Sequence, residues 1–235
     1  MQTVIETKAL CKQYGPHTAV DHVELHVPQG CVYGFIGPNG AGKSTTMKML
    51  LGLIHPTAGR VRLLGQELTE KSRLPLLRQT GSLIESPAGY LHLTAQENLE
   101  IVADLKGVPH KDIGRVLDIV HLTQDRNRRV GQYSLGMKQR LGIAMALLGS
   151  PKLLILDEWL LYPLKEAEAR DVLELVEARN KVASTIFCSQ YDTSEWHENL
   201  YDPTLADAIC DRIIYNAYTV QIEGESMRKR MGMTE

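Results

Sequence analysis

The run Gly37-Pro38-Asn39-Gly40-Ala41-Gly42-Lys43-Ser44 has the spacing G-x-x-x-x-G-K-[ST]. Glycine lets a backbone close on phosphate oxygens without Cβ clashes. Successive N–H groups then face inward as an anion nest, and a following helix adds the positive end of its dipole. In such a loop Lys43 reaches the β- and γ-phosphates and Ser44 offers its hydroxyl to Mg²⁺, with Thr45 next to it in the same binding set. A second chemical pair, Asp157-Glu158, follows the wholly apolar run 153–156. An aspartate at the carboxyl end of a buried strand sits where α/β sheets place their ligands, and it can hold Mg²⁺ through a water. Glu158 beside it is the candidate catalytic group, able to orient or deprotonate an attacking water.

These residues need particular elements around them. The short apolar run 32–36 predicts a buried strand leading into the glycine loop, and a helix is expected over about 43–51, stopped by Gly52 and Pro56. Alternating apolar and polar residues predict strands over 2–10 and 19–27, with a further strand over 61–64 closed by Gly65. The middle of the chain changes character. Thr94 with Glu97 three residues on is a capping-box pattern for a helix over 94–106, and 112–121 and 136–148 also read as helices. The expected organisation is therefore one domain: a core over about 1–83 and 151–235, and a helical subdomain over about 84–150. Residues 153–156 predict a buried parallel strand. Residues 166–179 predict an amphipathic helix with Ala167, Val172, Leu175 and Val176 on one face. Strands are expected over 184–188, and over 213–215 and 218–222 as closing strands. The fold class is α/β, a mainly parallel sheet with a small antiparallel sheet near the N-terminus.

Composition excludes several function classes. The 235 residues carry a net charge of −2, which makes no electrostatic case for a nucleic-acid partner. Four cysteines without a CxxC pair, Cys11, Cys31, Cys188 and Cys210, read as buried or free thiols of a reducing compartment rather than metal or disulfide positions. The N-terminal residues lack the apolar segment of a signal peptide. No stretch reaches the roughly 20 apolar residues that span a bilayer, so a soluble chain is expected, with any membrane role supplied by a partner.

The string Tyr133-Ser134-Leu135-Gly136-Met137-Lys138-Gln139-Arg140, just ahead of the acidic pair, resembles the signature of ABC transporter ATP-binding subunits in a variant form. Ser134 and Gly136 match its core positions, whereas Leu135 and Met137 depart from it. The resemblance is dense over about 3–158 and thinner beyond. It implies a P-loop ATPase that binds ATP and Mg²⁺, with Ser134 and Gly136 capping the γ-phosphate held by an opposite subunit, in a homodimer or a pair with a similar chain. It implies that Tyr14 stacks on adenine. It places Glu85, in Leu83-Ile84-Glu85-Ser86-Pro87, where the family has a Mg²⁺-touching glutamine. The strings GSLIESP and LTAQENL resemble the lantibiotic-immunity and bacitracin-type exporters. Export of an antimicrobial peptide through a separate membrane subunit is thereby implied, with the chain peripheral on the cytoplasmic face of the membrane. Soluble family members of translation and DNA repair carry paired domains or coiled-coil insertions, and neither is found in this sequence.

Two segments depart from the family. Where it has a polar loop ending in aspartate, this chain has Trp159-Leu160-Leu161-Tyr162-Pro163-Leu164-Lys165. Counting from Glu158, Tyr191 falls at the position of the family's switch histidine, with His197 nearby, and a phenol is a poor proton partner at neutral pH. Residues 192–205 are also unlike the family. Two readings stay open on these grounds: an ATPase driving export, and a nucleotide-binding regulatory or degenerate subunit with little hydrolysis.

Overall fold

The computed structural model describes residues 2–85, 89–160, 166–179, 181–191, 195–197, 200, 203–210 and 217–221. Two sheets build the molecule. The first is antiparallel and consists of β1 (Thr3–Tyr14), β2 (His17–Val23), β3 (His26–Pro28), β5 (Ala58–Leu63) and β6 (Gln66–Glu67), in the order β2-β1-β5-β6 with β3 paired to β1. The second is parallel, in the order β10-β4-β9-β8-β7, from β4 (Val32–Ile36), β7 (Thr80–Leu83), β8 (Leu153–Leu156), β9 (Ser184–Ser189) and β10 (Ala217–Gln221). Between β7 and β8 the chain runs through α3 (Ala95–Lys106), α4 (Asp112–Ile119) and α5 (Leu135–Leu147). Further helices among the described residues are α1 (Lys43–Leu50), α2 (Glu70–Arg78), α6 (Glu166–Arg179) and α7 (Pro203–Cys210).

Strands β4, β8 and β9 are buried along their whole length, which is why β8 reads as an unbroken apolar run. Along β8, Leu153 and Ile155 enter one cluster with the antiparallel sheet, α1 and α2, and Leu154 and Leu156 enter another with α3–α6. In β9, Ile186 and Cys188 join the first cluster and Phe187 the second. The period of two is thus present, but both phases are apolar.

The structure alters several sequence expectations. The strand expected over 19–27 is divided, because Thr7 intervenes: its hydroxyl donates to the Val23 carbonyl and accepts from the Leu25 amide, both at 2.8 Å, in place of ladder bonds. Helix α2 was not anticipated. Pro75 lies beyond its first turn, where proline reads as a breaker, yet Thr69 and Ser72 form a reciprocal capping box that starts the helix. Strand β7 was also missed, since Gly81 argues against a strand. A Cβ at Gly81 would meet the Ala146 carbonyl, so the glycine permits α5 to lie against β7. The box at Thr94 and Glu97 forms as expected, with the Thr94 amide 2.7 Å from the Glu97 carboxylate. Helix α6 buries Ala169, Val172, Leu175 and Val176, while the Ala167 side chain and residues 161–165, 192–194, 198–199, 201–202, 211–216 and 222 lie outside what is described. The expected strand over 213–215 and the end of that over 218–222 fall there too.

Arg179 ties α6 to the two central strands. Its guanidinium is buried and donates to Thr185 Oγ1 at 2.9 Å, the Pro151 carbonyl at 3.0 Å and the Ser184 carbonyl at 2.9 Å. Burial lowers its pKa to about 10. Replacing it strands three buried acceptors. Arg179→Leu should lower the unfolding free energy by roughly 2–4 kcal/mol, read as a reduced denaturation midpoint at unchanged slope. A change below about 0.5 kcal/mol, the usual range of surface substitutions, would show that the clamp is dispensable.

Candidate functional site

The carboxyl ends of β4, β8 and β9 converge on a cavity of about 330 Å³. Its walls include Asn39, Gly40, Gly42, Lys43, Ser44 and Thr45 from the glycine loop, with Asp157 and Glu158 opposite and Tyr14 at the rim. Gly37 and Ala41 shape the loop from behind: the Gly37 amide donates to the Ser189 carbonyl at 3.2 Å, and the Ala41 amide to the Pro38 carbonyl at 3.2 Å. Gly42 caps α1 at φ 90°, a left-handed conformation, and a Cβ there would meet the Ala19 carbonyl. The α1 N-terminus receives no side-chain cap, so its first amides remain available to an anion.

Lys43 is buried, and its ammonium donates to the carbonyls of Gly37 at 2.5 Å and Pro38 at 2.9 Å. Burial lowers its pKa, and the nearby Asp157 and Cys188 partly restore it. Asp157 is buried too. One carboxylate oxygen accepts the Glu158 amide at 3.0 Å, while the other, Oδ2, is buried with no hydrogen-bond partner among the described residues. A buried carboxylate oxygen without a donor, in the cavity that also holds Ser44, suits a hard divalent cation such as Mg²⁺. Glu158 has φ 55°, an uncommon conformation for a residue with a side chain. Its pKa is raised, first by burial and then by the negative charges of Asp157 and Glu85.

Glu85 stands across from this pair at φ 59°. It lines a smaller, mostly apolar cavity of about 110 Å³ together with Asp157, Glu158, Trp159 and Gly136. Its carboxylate is held by the Lys48 ammonium at 2.6 Å. Sequence reading overlooked Lys48, although its place on α1, four residues after Ser44, is the available signal. Ser134 caps α5 by accepting the Met137 amide at 3.2 Å, and it is exposed. Neither Ser134 nor Gly136 lines the loop cavity of its own chain.

The departures from the family resolve in part. Trp159 and Leu160 pack inward, at 7% and 3% exposure. The indole sits 4.6 Å from the Phe187 ring and 6.4 Å from that of Trp196, measured between centroids. Residues 161–165 lie outside the described residues. Tyr191, expected at the switch position, packs against the apolar cluster, and its carbonyl accepts from the Trp196 indole at 3.1 Å. The residue that β9 delivers into the cavity is Gln190, whose amide oxygen accepts from Asn39 at 2.5 Å. His197 pairs with Asp207 at 3.1 Å on the surface and is absent from the cavity lining. His17 and Ala19 are further wall residues that the sequence did not single out.

The chain matches the family model described as ABC transporter over residues 20–161. A second model, IstB-like ATP binding protein, matches residues 129–234, less than half of the chain. The bacitracin transport ATP-binding protein BcrA of Bacillus licheniformis is 46% identical over 198 residues, which is 83% of this chain and 64% of that protein. The lantibiotic transport ATP-binding protein SrtF of Streptococcus pyogenes is 42% identical over 194 residues, 82% of each. The chain therefore spans just under two thirds of the bacitracin-transport relative. Among solved structures, an ATP binding subunit of an ABC transporter superposes with a TM-score of 0.76 at 25% identity, covering 98% of this chain and 94% of that one.

Gly42→Ala places a methyl against the Ala19 carbonyl at a left-handed φ. It should weaken binding of a fluorescent ATP analogue by at least about tenfold and destabilise the fold by roughly 1–3 kcal/mol. Equal affinity in fluorescence titration would mean that the loop geometry does not set nucleotide binding.

Proposed function

The chain belongs to the ABC transporter family of ATP-binding proteins, and from that footing we propose that it is the ATP-binding subunit of an exporter. In this reading it binds ATP with Mg²⁺ and hydrolyses it to drive a separate membrane-spanning subunit that exports an antimicrobial peptide of the lantibiotic or bacitracin kind. The observation that carries the reading is the meeting of the loop Asn39–Thr45 with Asp157 and Glu158 around one cavity. The names of two relatives, one for bacitracin and one for lantibiotic transport, support the cargo class. No helix among the described residues is long and apolar enough to cross a membrane, so the proposal places the chain on the cytoplasmic face through its partner. The domain reading is a core over about 1–83 and 151–235 with a helical subdomain over about 84–150.

Each residue has a role in the proposed mechanism. Tyr14 at the rim stacks on adenine. Loop amides from Gly40 to Thr45 and the α1 N-terminus bind the phosphates, and Lys43 exchanges the Gly37 and Pro38 carbonyls for phosphate oxygens. Ser44, Asp157 and Glu85 would hold Mg²⁺, which supplies charge neutralisation at the β- and γ-phosphates when bound. Glu158 takes the proton of the attacking water. Ser134 and Gly136, absent from the lining of their own loop cavity, would cap the γ-phosphate of a second copy or a similar subunit, which makes pairing part of the reaction.

A second reading, a nucleotide-binding subunit with little turnover, draws on Gln190. A neutral amide in the cavity can orient a phosphate oxygen but cannot carry a proton as imidazole does. Comparing ATPase rates of the wild-type chain, Glu158→Gln and Gln190→His separates the two. Turnover in the wild type, reduced about 10²- to 10⁴-fold in Glu158→Gln with binding retained, supports the motor. Binding without turnover in the wild type, also when reconstituted with a membrane subunit, and a gain in Gln190→His would establish the second reading.

The pH profile gives an independent check. Glu158 serves as a base only when ionised, and its pKa is raised by burial, Asp157 and Glu85. The acid limb of kcat should therefore lie above the usual carboxylate range. Glu85→Gln removes one negative charge, lowers the Glu158 pKa, and should move that limb to lower pH. An unmoved limb would show that Glu85 does not act on Glu158.

A further inference from the structure

On the antiparallel sheet, away from the nucleotide cavity walls, the β1–β2 ladder breaks register. Leu10 pairs with Val23 and Lys12 with Val20, so the single residue Cys11 opposes two, Asp21 and His22. This is a β-bulge, a device that re-aims side chains. His22 takes φ 46°, a left-handed conformation uncommon for a non-glycine residue. The outcome is that a thiol, a carboxylate and an imidazole gather, with their donor atoms all within 4.8 Å of one another. His22 Nδ1 is 2.6 Å from Asp21 Oδ1, the His22 amide donates to Cys11 Sγ at 3.2 Å, and Cys11 Sγ lies 4.0 Å from Asp21 Oδ1. The thiol also donates to the Ala9 carbonyl at 3.4 Å.

We propose that Cys11, Asp21 and His22 form a binding site for a divalent cation of the zinc class. The donor set is sulfur, nitrogen and oxygen, which suits a borderline-soft ion and not Mg²⁺. Thiolate and carboxylate together carry two negative charges, which balance the ion. The thiol proton is released to solvent on binding, and the His22 amide already points at the sulfur that becomes negative. Asp21 and His22 are exposed and Cys11 is half-buried, so rotation of two surface side chains can bring the donors to ligand distances of about 2.0–2.3 Å. Three protein ligands leave a fourth position to water. Cysteine spacing alone pointed to a simple free thiol at Cys11, because the other two donors arrive by register across the ladder and not by proximity in the sequence.

The test uses the reduced full chain, stripped of metal and kept in Mg²⁺, titrated with Co²⁺ and then with Zn²⁺. One equivalent of Co²⁺ should produce a thiolate-to-metal charge-transfer band, and Zn²⁺ should bleach it. Cys11→Ser should abolish the band. His22→Asn, which tolerates the left-handed backbone, should weaken binding by more than the roughly 10- to 100-fold that loss of an outer-shell partner costs. Nucleotide affinity and the thermal midpoint of the metal-free variants report that each remains folded. No band in the wild type would overturn the proposal. The same band at the same affinity in Cys11→Ser would overturn it as well, since the metal would then sit on another of the four thiols.

Discussion

The constraint on which the site depends is keeping the Lys43 ammonium charged where little water reaches it. Removing a cation from water is costly unless acceptors and counter-charges replace the solvent. The structure supplies both, two carbonyls of the loop and the buried Asp157 across the cavity. The carbonyls can accept the ammonium because Gly40 and Gly42 take left-handed conformations that fold the loop back over α1. Asp157 is held from below by its own amide, which donates to the Leu83 carbonyl at 2.9 Å. Cation and carboxylate are thus fixed by different strands of one sheet, and the proposed function puts a phosphate and its cation in the space between them.

That arrangement requires a sheet with no slack, and the two apolar clusters provide it. The strands that carry the loop and Asp157 are buried on both faces, and Arg179 fixes the entry of β8 and β9 to the end of α6. On the far side of Glu158, Trp159 and Leu160 turn into the core instead of outward. Glu158 and Leu160 both adopt positive φ, with Trp159 between them and its amide bonded to the Cys188 carbonyl at 2.8 Å. Such conformations persist where surrounding packing over-determines them. Here the Trp159–Phe187 contact is that packing, so the apolar segment that departs from the family begins as part of the core.

Much of this was legible in the sequence because it rests on local rules. The loop motif, the strand at 153–156, the capping box at Thr94 and the amphipathic pattern of 166–179 each declare themselves within a few residues. What escaped depends on tertiary placement. Strand β7 hides behind Gly81, whose missing side chain serves α5. Helix α2 hides behind Pro75. Lys48 reads as one more surface lysine until β7 brings Glu85 to it. The bulge at Cys11 is invisible because alternation within one strand does not show which residues oppose it. That Gln190 and not Tyr191 lines the cavity has the same origin: the phase of the chain leaving β9 decides which side chain faces inward.

With Gln190 in the cavity, the proposed mechanism assigns proton handling to the carboxylates. Glu158 has a raised affinity for protons, and two of the causes are charges of its own neighbours. Glu85 is therefore two-sided. A carboxylate there adds an oxygen ligand for a cation, yet it also raises the cost of ionising Glu158. Lys48 answers that repulsion by pairing with Glu85. An exposed pair contributes little to stability, so its consequence lies in the field at the site. While Lys48 holds Glu85, the negative charge facing Glu158 is partly cancelled; in the proposed function a cation held by Glu85 would supply the same cancellation. A glutamine at this position would need neither partner, which ties the acidic variant at 85 to the lysine at 48.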